Sequence, residues 1–326
     1  MAILVDRLRR FRGGPADGPG YTARVAPTRL LLAAPRGYCA GVDRAVETVE
    51  RALDLAGGAP VYVRKEIVHN RHVVAELARR GAIFVSSEED VPPGATVVFS
   101  AHGVAPTVHT NAARRGLNVI DATCPLVTKV HSEAKHFAGR GYTIILVGHE
   151  GHEEVEGTMG EAPEATRLVG TVAEVAELSD LGPETPLVYL TQTTLSVDET
   201  RDIIAALRER FPHIEAPAKE DICYATSNRQ AAVKALVREV DLVLVIGSRN
   251  SSNSNRLVEV ARDAGVPSHL IEDESTIDED WLEGVETVGI TSGASAPESL
   301  VRRVVDWFAA NGVTEVDELH VVHEDV

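Results

Sequence analysis

Asp121-Ala122-Thr123-Cys124-Pro125-Leu126-Val127-Thr128-Lys129-Val130-His131 sets a single cysteine where an apolar, strand-like run gives way to a helix-like one. Leu117-Asn118-Val119-Ile120 leads into it. Pro125 suits a first helical turn, where its missing N–H costs nothing, and Val127, Val130 and Ala134 continue at helical spacing towards Gly139 or Gly141. The same design occurs twice more. Cys39 follows Leu30-Leu31-Leu32-Ala33-Ala34-Pro35-Arg36-Gly37-Tyr38, with Val42, Val46, Val49 and Leu53 behind it. Cys223 follows Ala218-Lys219-Glu220-Asp221-Ile222 and precedes Val233, Leu236, Val237 and Val240, with Thr226 or Ser227 as the expected helix cap. These three are all the cysteines of the chain, and their shared setting predicts that the sulfurs converge on one metal centre.

Working outward, each cysteine unit runs into two strands with polar ends. Val61-Tyr62-Val63 leads to His69 and Thr96-Val97-Val98-Phe99-Ser100 to His102. In the second unit Thr143-Ile144-Ile145-Leu146-Val147 leads to His152, and Leu187-Val188-Tyr189-Leu190 to Thr193. In the third, Leu242 to Ile246 leads to Ser251, Ser252 and Asn253, and Val288-Gly289-Ile290 to Ser295. From each cysteine to the first polar group is 30, 28 and 30 residues, and from there to the second 33, 41 and 42. Repeats this long do not make a solenoid and predict a three-lobed ring of βα units. Ligands of parallel α/β sheets sit at the carboxyl ends of strands. A central pocket follows, with sulfur at its floor and His, Thr, Ser and Asn on its walls.

The 326 residues predict two or three units of about 100 to 150 residues each. A hydrophobic content of 44% against 25% charged excludes wholesale disorder, and no run approaches the roughly 18 apolar residues of a membrane span. A formal charge of -17 argues against nucleic acid as partner. It leaves room for a small anion held by backbone N–H groups, helix N-termini and hydroxyls. The cysteines lie 85 and 99 residues apart, with no C-x-x-C pair. That odd, sparse set predicts a reduced, cytoplasmic setting rather than a disulfide framework. Residues 1–27 carry Arg7, Arg9, Arg10 and Arg12 ahead of a Gly/Pro-rich run, but no serine and no apolar signal core. They are expected to form a flexible extension rather than a transit peptide.

Any one of these cysteines alone would read as a small buried hydrophobe. Three with one local grammar, each at an expected helix N-terminus that favours thiolate, point to metal. Zinc in a Cys₃His site with His149 or His152 competes with an iron–sulfur cluster, in which three cysteines leave one iron open to substrate. His69, His102 and His152 recur at matching places and could donate to a diphosphate. Glu154 lies two residues beyond His152 among other glutamates; one of them, enclosed beside a substrate, would have its pKa raised and could deliver a proton, and spacing alone does not choose which. Glu150, Glu153 and Glu156 read as surface charges. Neither a dinucleotide-binding glycine fingerprint nor a P-loop is present.

Pro35-Arg36-Gly37-Tyr38-Cys39-Ala40-Gly41-Val42-Asp43-Arg44-Ala45, Val68-His69-Asn70, Ser100-Ala101-His102-Gly103-Val104 and Asp121-Ala122-Thr123-Cys124-Pro125-Leu126-Val127 together resemble the 4-hydroxy-3-methylbut-2-enyl diphosphate reductases, the IspH/LytB family. So do His152-Glu153-Glu154-Val155-Glu156-Gly157-Thr158, Thr191-Gln192-Thr193-Thr194-Leu195-Ser196, Asp221-Ile222-Cys223-Tyr224-Ala225-Thr226 and Asn250-Ser251-Ser252-Asn253-Ser254, in the family's order over roughly Leu30 to Ala310. The resemblance implies three similar α/β lobes in a pseudo-threefold (trefoil) arrangement around a central cluster. The expected division is a strand at 28–41 packing with the third lobe, lobes at 42–120, 121–218 and 219–312, and a C-terminal tail at 313–326. It implies a [4Fe–4S] cluster on Cys39, Cys124 and Cys223 with one open iron. It further implies diphosphate binding by His69, His102, His152, Ser251, Ser252, Asn253 and Ser295, with Glu154 as proton donor and Thr193 relaying to the substrate hydroxyl. The implied reaction is reductive removal of an allylic hydroxyl, giving isopentenyl and dimethylallyl diphosphate, with electrons from a ferredoxin or flavodoxin. A zinc hydrolase or lyase and a non-enzymatic iron–sulfur sensor are the rival readings.

Overall fold

The computed structural model describes residues 27–324, so the expected extension over 1–27 lies outside the described residues except for Pro27. Among them, strands and helices alternate through three sheets in which every strand pair is parallel. β1 (Arg29–Ala34) comes first. Next are α1 (Ala40–Leu55), β2 (Val61–Arg64), α2 (Arg71–Arg79), β3 (Ala82–Val85), β4 (Thr96–Phe99), α3 (Pro106–Arg114) and β5 (Asn118–Asp121). Their sheet has the order β3-β2-β4-β5. Val61, Val63 and Val98 pack with α1 and α2 through Ala45, Val49, Val73 and Leu77. Val97 and Phe99, on the other face, meet Val108 and Ala112 of α3. A parallel strand covered on both faces is apolar at nearly every position, so its sequence reads as a continuous run rather than an alternation.

The second lobe comprises α4 (Pro125–Gly139), β6 (Thr143–Val147), α5 (Glu153–Glu161), β7 (Thr166–Val169), α6 (Val172–Glu177), β8 (Leu187–Thr191) and α7 (Val197–Arg210), with strand order β7-β6-β8. The third comprises α8 (Tyr224–Leu236), β9 (Leu242–Ile246), α9 (Ser252–Asp263), β10 (Ser268–Ile271), β11 (Thr287–Ser292), α10 (Glu298–Ala310) and β12 (Glu315–His320). Its sheet has the order β10-β9-β11-β1-β12, in which Leu30 of β1 faces Val288 on one side and Val316 on the other.

Two features differ from expectation. The segment 313–326 is expected as a tail, yet its residues 315–320 form a paired edge strand. Glu315, Asp317 and Glu318 leave no apolar alternation to announce it, and charges of this kind blunt an exposed sheet edge. The helix after Cys223 starts at Tyr224, with the cysteine itself as N-cap, rather than at a Thr226 or Ser227 cap. The sulfur takes the acceptor role there, receiving the Thr226 N–H at 3.4 Å.

Among the described residues no helix is long and apolar enough to cross a membrane. The loops that follow β2, β4, β6, β8, β9 and β11 all reach the centre of the molecule, where a cavity of about 110 Å³ opens.

Candidate active site

Cys39, Cys124 and Cys223 are the N-cap residues of α1, α4 and α8. Each is held from behind by the preceding part of the ring. The Cys39 N–H donates to the Ala294 carbonyl (3.3 Å), that of Cys124 to Ala101 (3.0 Å) and that of Cys223 to Thr193 (3.0 Å). The three acceptors lie just beyond β11, β4 and β8, so every cysteine is registered by a strand end of the unit before it. All three side chains line the central cavity, and none is in a disulfide. Gly41 makes their approach possible: a Cβ there would stand 2.8 Å from the Cys124 Sγ and 3.8 Å from that of Cys39. Burial pushes the Cys124 thiol up and that of Cys223 to about 11, against hydrogen bonds that favour the thiolate. At Cys124 and Cys223 the helix N–H groups therefore do not outweigh desolvation by themselves. Ionised sulfur at this floor needs a cation beside it.

The cavity walls carry the remaining expected residues: His69, His102, His152, Glu154, Thr193, Ser251, Ser252, Asn253 and Ser295. His69 and His102 stack with ring centroids 4.0 Å apart, and His152 stands edge-on to both at 5.5 and 6.0 Å. Burial, then the neighbouring rings, holds His152 down at about 3, and burial likewise lowers His102. Both are therefore neutral near pH 7. Of the third-lobe groups, Ser295 and Ser252 are already engaged across the ring and Asn253 within its own lobe. Ser295 Oγ donates to the His69 carbonyl (2.9 Å) and Ser252 Oγ to that of Thr194 (3.2 Å), while Asn253 accepts the Ala294 N–H (2.8 Å) and donates to Thr226 (3.2 Å).

Glu154 enters at the first turn of α5 and is 2% exposed. Its Oε1 accepts the Thr193 N–H at 2.6 Å, and its Oε2 lies 3.0 Å from Thr193 Oγ1, which donates to it. Burial raises the carboxyl to about 7 despite these bonds, so near neutral pH it carries a proton for a substantial part of the time. Thr193 presents the hydroxyl nearest to that proton.

Glu153 corrects the sequence reading of it as a surface charge. Its side chain is 18% exposed and its Oε2 lies 3.4 Å from His102 Nδ1. Despite burial, His102 and Lys65 keep it below its ordinary range. His149 lies outside the central cavity and turns to Gln192 (3.3 Å), which removes it from a Cys₃His set. Among the described residues no three His, Cys, Asp or Glu side chains gather closely enough to hold a single metal ion. Gly41 and Thr226 were not singled out as site residues in the sequence; the small residue two places after Cys39, and the hydroxyl three after Cys223, at 3.1 Å from its sulfur, were the available signals.

Three α/β lobes that each lend one cysteine and several polar strand ends to a common cavity, with a proton-bearing glutamate inside it, define a trefoil enzyme whose chemistry belongs to the whole ring. Residues 30–309 match the family described as LytB protein, and the chain belongs to that family. It is 58% identical to the 4-hydroxy-3-methylbut-2-enyl diphosphate reductase of Mycolicibacterium gilvum over 96% of this chain and 93% of that one. With the enzyme of the same name from Nocardia farcinica it shares 61% identity over 91% of this chain and 88% of the other. The solved structure of the E-1-hydroxy-2-methyl-but-2-enyl-4-diphosphate reductase from Plasmodium falciparum matches with a TM-score of 0.89 at 40% identity, covering 92% of this chain and 94% of that one. A structure titled as (E)-4-hydroxy-3-methyl-but-2-enyl diphosphate reductase, the terminal enzyme of the non-mevalonate pathway, matches with a TM-score of 0.62 at 31% identity, over 87% and 99% of the two chains.

Proposed function

We propose that the chain reduces (E)-4-hydroxy-3-methylbut-2-enyl diphosphate to isopentenyl and dimethylallyl diphosphate, the last step of the non-mevalonate isoprenoid pathway, with a [4Fe–4S] group held by Cys39, Cys124 and Cys223. The observation that carries this reading is the meeting of one N-cap cysteine from each of three units at the floor of a cavity that also contains Glu154. The residues fit such a group. The three cysteines line one cavity, a side chain at Gly41 would crowd two of their sulfurs, and no close set for a single ion exists among the described residues. That donor set speaks against the zinc alternative.

When bound, the group supplies electrons one at a time and a Lewis-acidic position for the departing hydroxyl. The chain's residues do the rest. His69, His102 and His152, with Ser251, Ser252, Asn253 and Ser295, would take the diphosphate, the third-lobe groups exchanging their present bonds for bonds to its oxygens. Glu154 would deliver its proton through the Thr193 hydroxyl to the leaving oxygen, which departs as water. Two electrons and two protons balance the reaction. The second proton goes to either end of the allylic fragment, giving the two products. The reading includes a ferredoxin or flavodoxin as the one-electron donor and a cytoplasmic location, supported by three unpaired cysteines.

The test is anaerobic purification followed by iron and acid-labile sulfide analysis, with consumption of the allylic diphosphate under a reduced viologen. Equal iron and sulfide, a brown colour and formation of both products are expected. Colourless protein carrying stoichiometric zinc, or iron–sulfur protein that leaves the diphosphate unchanged, overturns the reading.

A further inference from the structure

Cations connect the three cysteine-bearing helices in cyclic order. Arg44 lies five residues beyond Cys39 on α1 and donates to the carbonyl of Thr123, the residue before Cys124. Lys129 lies five beyond Cys124 on α4 and donates to the Lys219 carbonyl and to Asp221 Oδ1, both at 2.6 Å, in the segment entering Cys223. Arg229 lies six beyond Cys223 on α8. Its Nη2 donates to the carbonyls of Gly37 (2.7 Å) and Tyr38 (3.2 Å), the two residues before Cys39, and its Nε donates again to Gly37 (3.1 Å). The third contact returns to the first unit and closes the ring.

These bonds run opposite to the backbone bonds that register each cysteine from behind. Each cysteine is thus tied twice to the unit before it, through its own N–H to a strand end there and through a cation reaching forward from that unit's helix. Asp221 also accepts the Thr191 N–H at 2.9 Å, so the Lys129 contact bears on the end of β8 that carries Thr193. Burial grades the three. The Arg229 side chain is fully buried, with Ala225 O (2.9 Å) and Glu324 (3.1 Å) completing its partners; that of Lys129 is 26% exposed; Arg44 is exposed. Charge-assisted bonds to buried carbonyls constrain geometry strongly, whereas exposed ones contribute little.

We propose that Arg44, Lys129 and Arg229 are positioning residues that set the spacing of the three sulfurs, and hence how tightly the inorganic group between them is retained. The proposal rests on the iron–sulfur reading above. None of the three needs to touch substrate, and their common place in each unit makes them one device rather than three unrelated surface contacts.

The experiment compares wild type with Arg44→Gln, Lys129→Met, Lys129→Arg and Arg229→Lys, each reconstituted anaerobically with iron and sulfide. Iron release to excess ferrozine is followed at about 25 °C, together with the thermal midpoint of each cluster-free form. Residues that orient metal ligands typically change metal affinity by about 10- to 100-fold. Arg229→Lys and Lys129→Met should release iron about tenfold faster or more, Arg44→Gln less, and Lys129→Arg at close to the wild-type rate. Arg44→Gln should keep the cluster-free midpoint of wild type, whereas Lys129→Met, which leaves the buried Asp221 without its cation, should lower it. Should Arg229→Lys fail to fold, the Lys129 pair decides. Release at wild-type rates in both Lys129→Met and Arg229→Lys overturns the proposal, as does release no faster than wild type in Arg44→Gln, the variant whose cluster-free midpoint is unchanged. A wild-type chain that takes up no iron and sulfide overturns the functional reading itself, a result distinguishable from both.

Discussion

Glu154→Gln separates a proton-holding carboxyl from a merely buried one. In wild type, burial raises this carboxyl from 4.5 to about 7. A carboxyl raised on folding stabilises the folded state fully only below its unfolded pKa; as pH climbs through 4.5 and on past about 7, that contribution is lost. Two and a half pKa steps correspond to a cost on the order of 3 kcal/mol at alkaline pH. Glutamine keeps the shape, accepts the Thr193 N–H and can donate to Thr193 Oγ1, so both contacts survive with one reversed. At about pH 5 the variant and wild type should therefore unfold within a degree or two of each other. At about pH 8 the variant should unfold roughly 5 °C higher. Cluster-free protein followed by circular dichroism gives the comparison, and other titrating groups cancel because both proteins contain them. With the inorganic group restored, the variant should still bind the diphosphate yet lose turnover. A gap between the two midpoints that is unchanged from pH 5 to pH 8 would refute the argument, since it would mean that Glu154 carries no extra proton in the fold.

Three further outcomes follow from the same geometry. Cys124→Ser should abolish iron–sulfur retention and turnover while the far-ultraviolet spectrum stays α/β; wild-type activity in that variant would sink the assignment of its sulfur. Gly41→Ala places a Cβ 2.8 Å from the Cys124 Sγ and so should lower iron and sulfide content, while helix α1 is unchanged or gains up to about 1 kcal/mol. Full loading of that variant would show that the sulfurs do not need the glycine. Because His102 and His152 are held neutral, an arriving diphosphate should raise their pKa values and draw protons from solution at about pH 7. Calorimetry in buffers of different ionisation enthalpy measures that uptake, and heats independent of buffer would contradict it.

The cysteines and the polar strand ends were legible because their signals are local. An apolar run, a cysteine and a helical period stand side by side in the chain, and the structure builds those same turns. Glu153 was misread because its exposure depends on where another lobe's His102 arrives, which no local pattern encodes. β12 escaped notice since an acidic edge strand lacks the apolar alternation by which strands are recognised. Arg229 sits in Ser227-Asn228-Arg229-Gln230, a sequence that would suit any solvated helix face. Its partners at Gly37 and Tyr38 come from the far end of the chain, so only the closed ring reveals a buried guanidinium.

The place of β1 bears on how such a protein is made. This strand sits between β11 and β12, which follow it by most of the described chain, so its sheet cannot be completed until both have been made. Non-local pairing of this kind slows folding and leaves early segments waiting. Cys39 and Cys124 therefore emerge as bare thiols, long before Cys223 exists to join them. Whatever the three finally grip can be held only once Cys223 has been made, and cellular oxidants have until then to reach the first two.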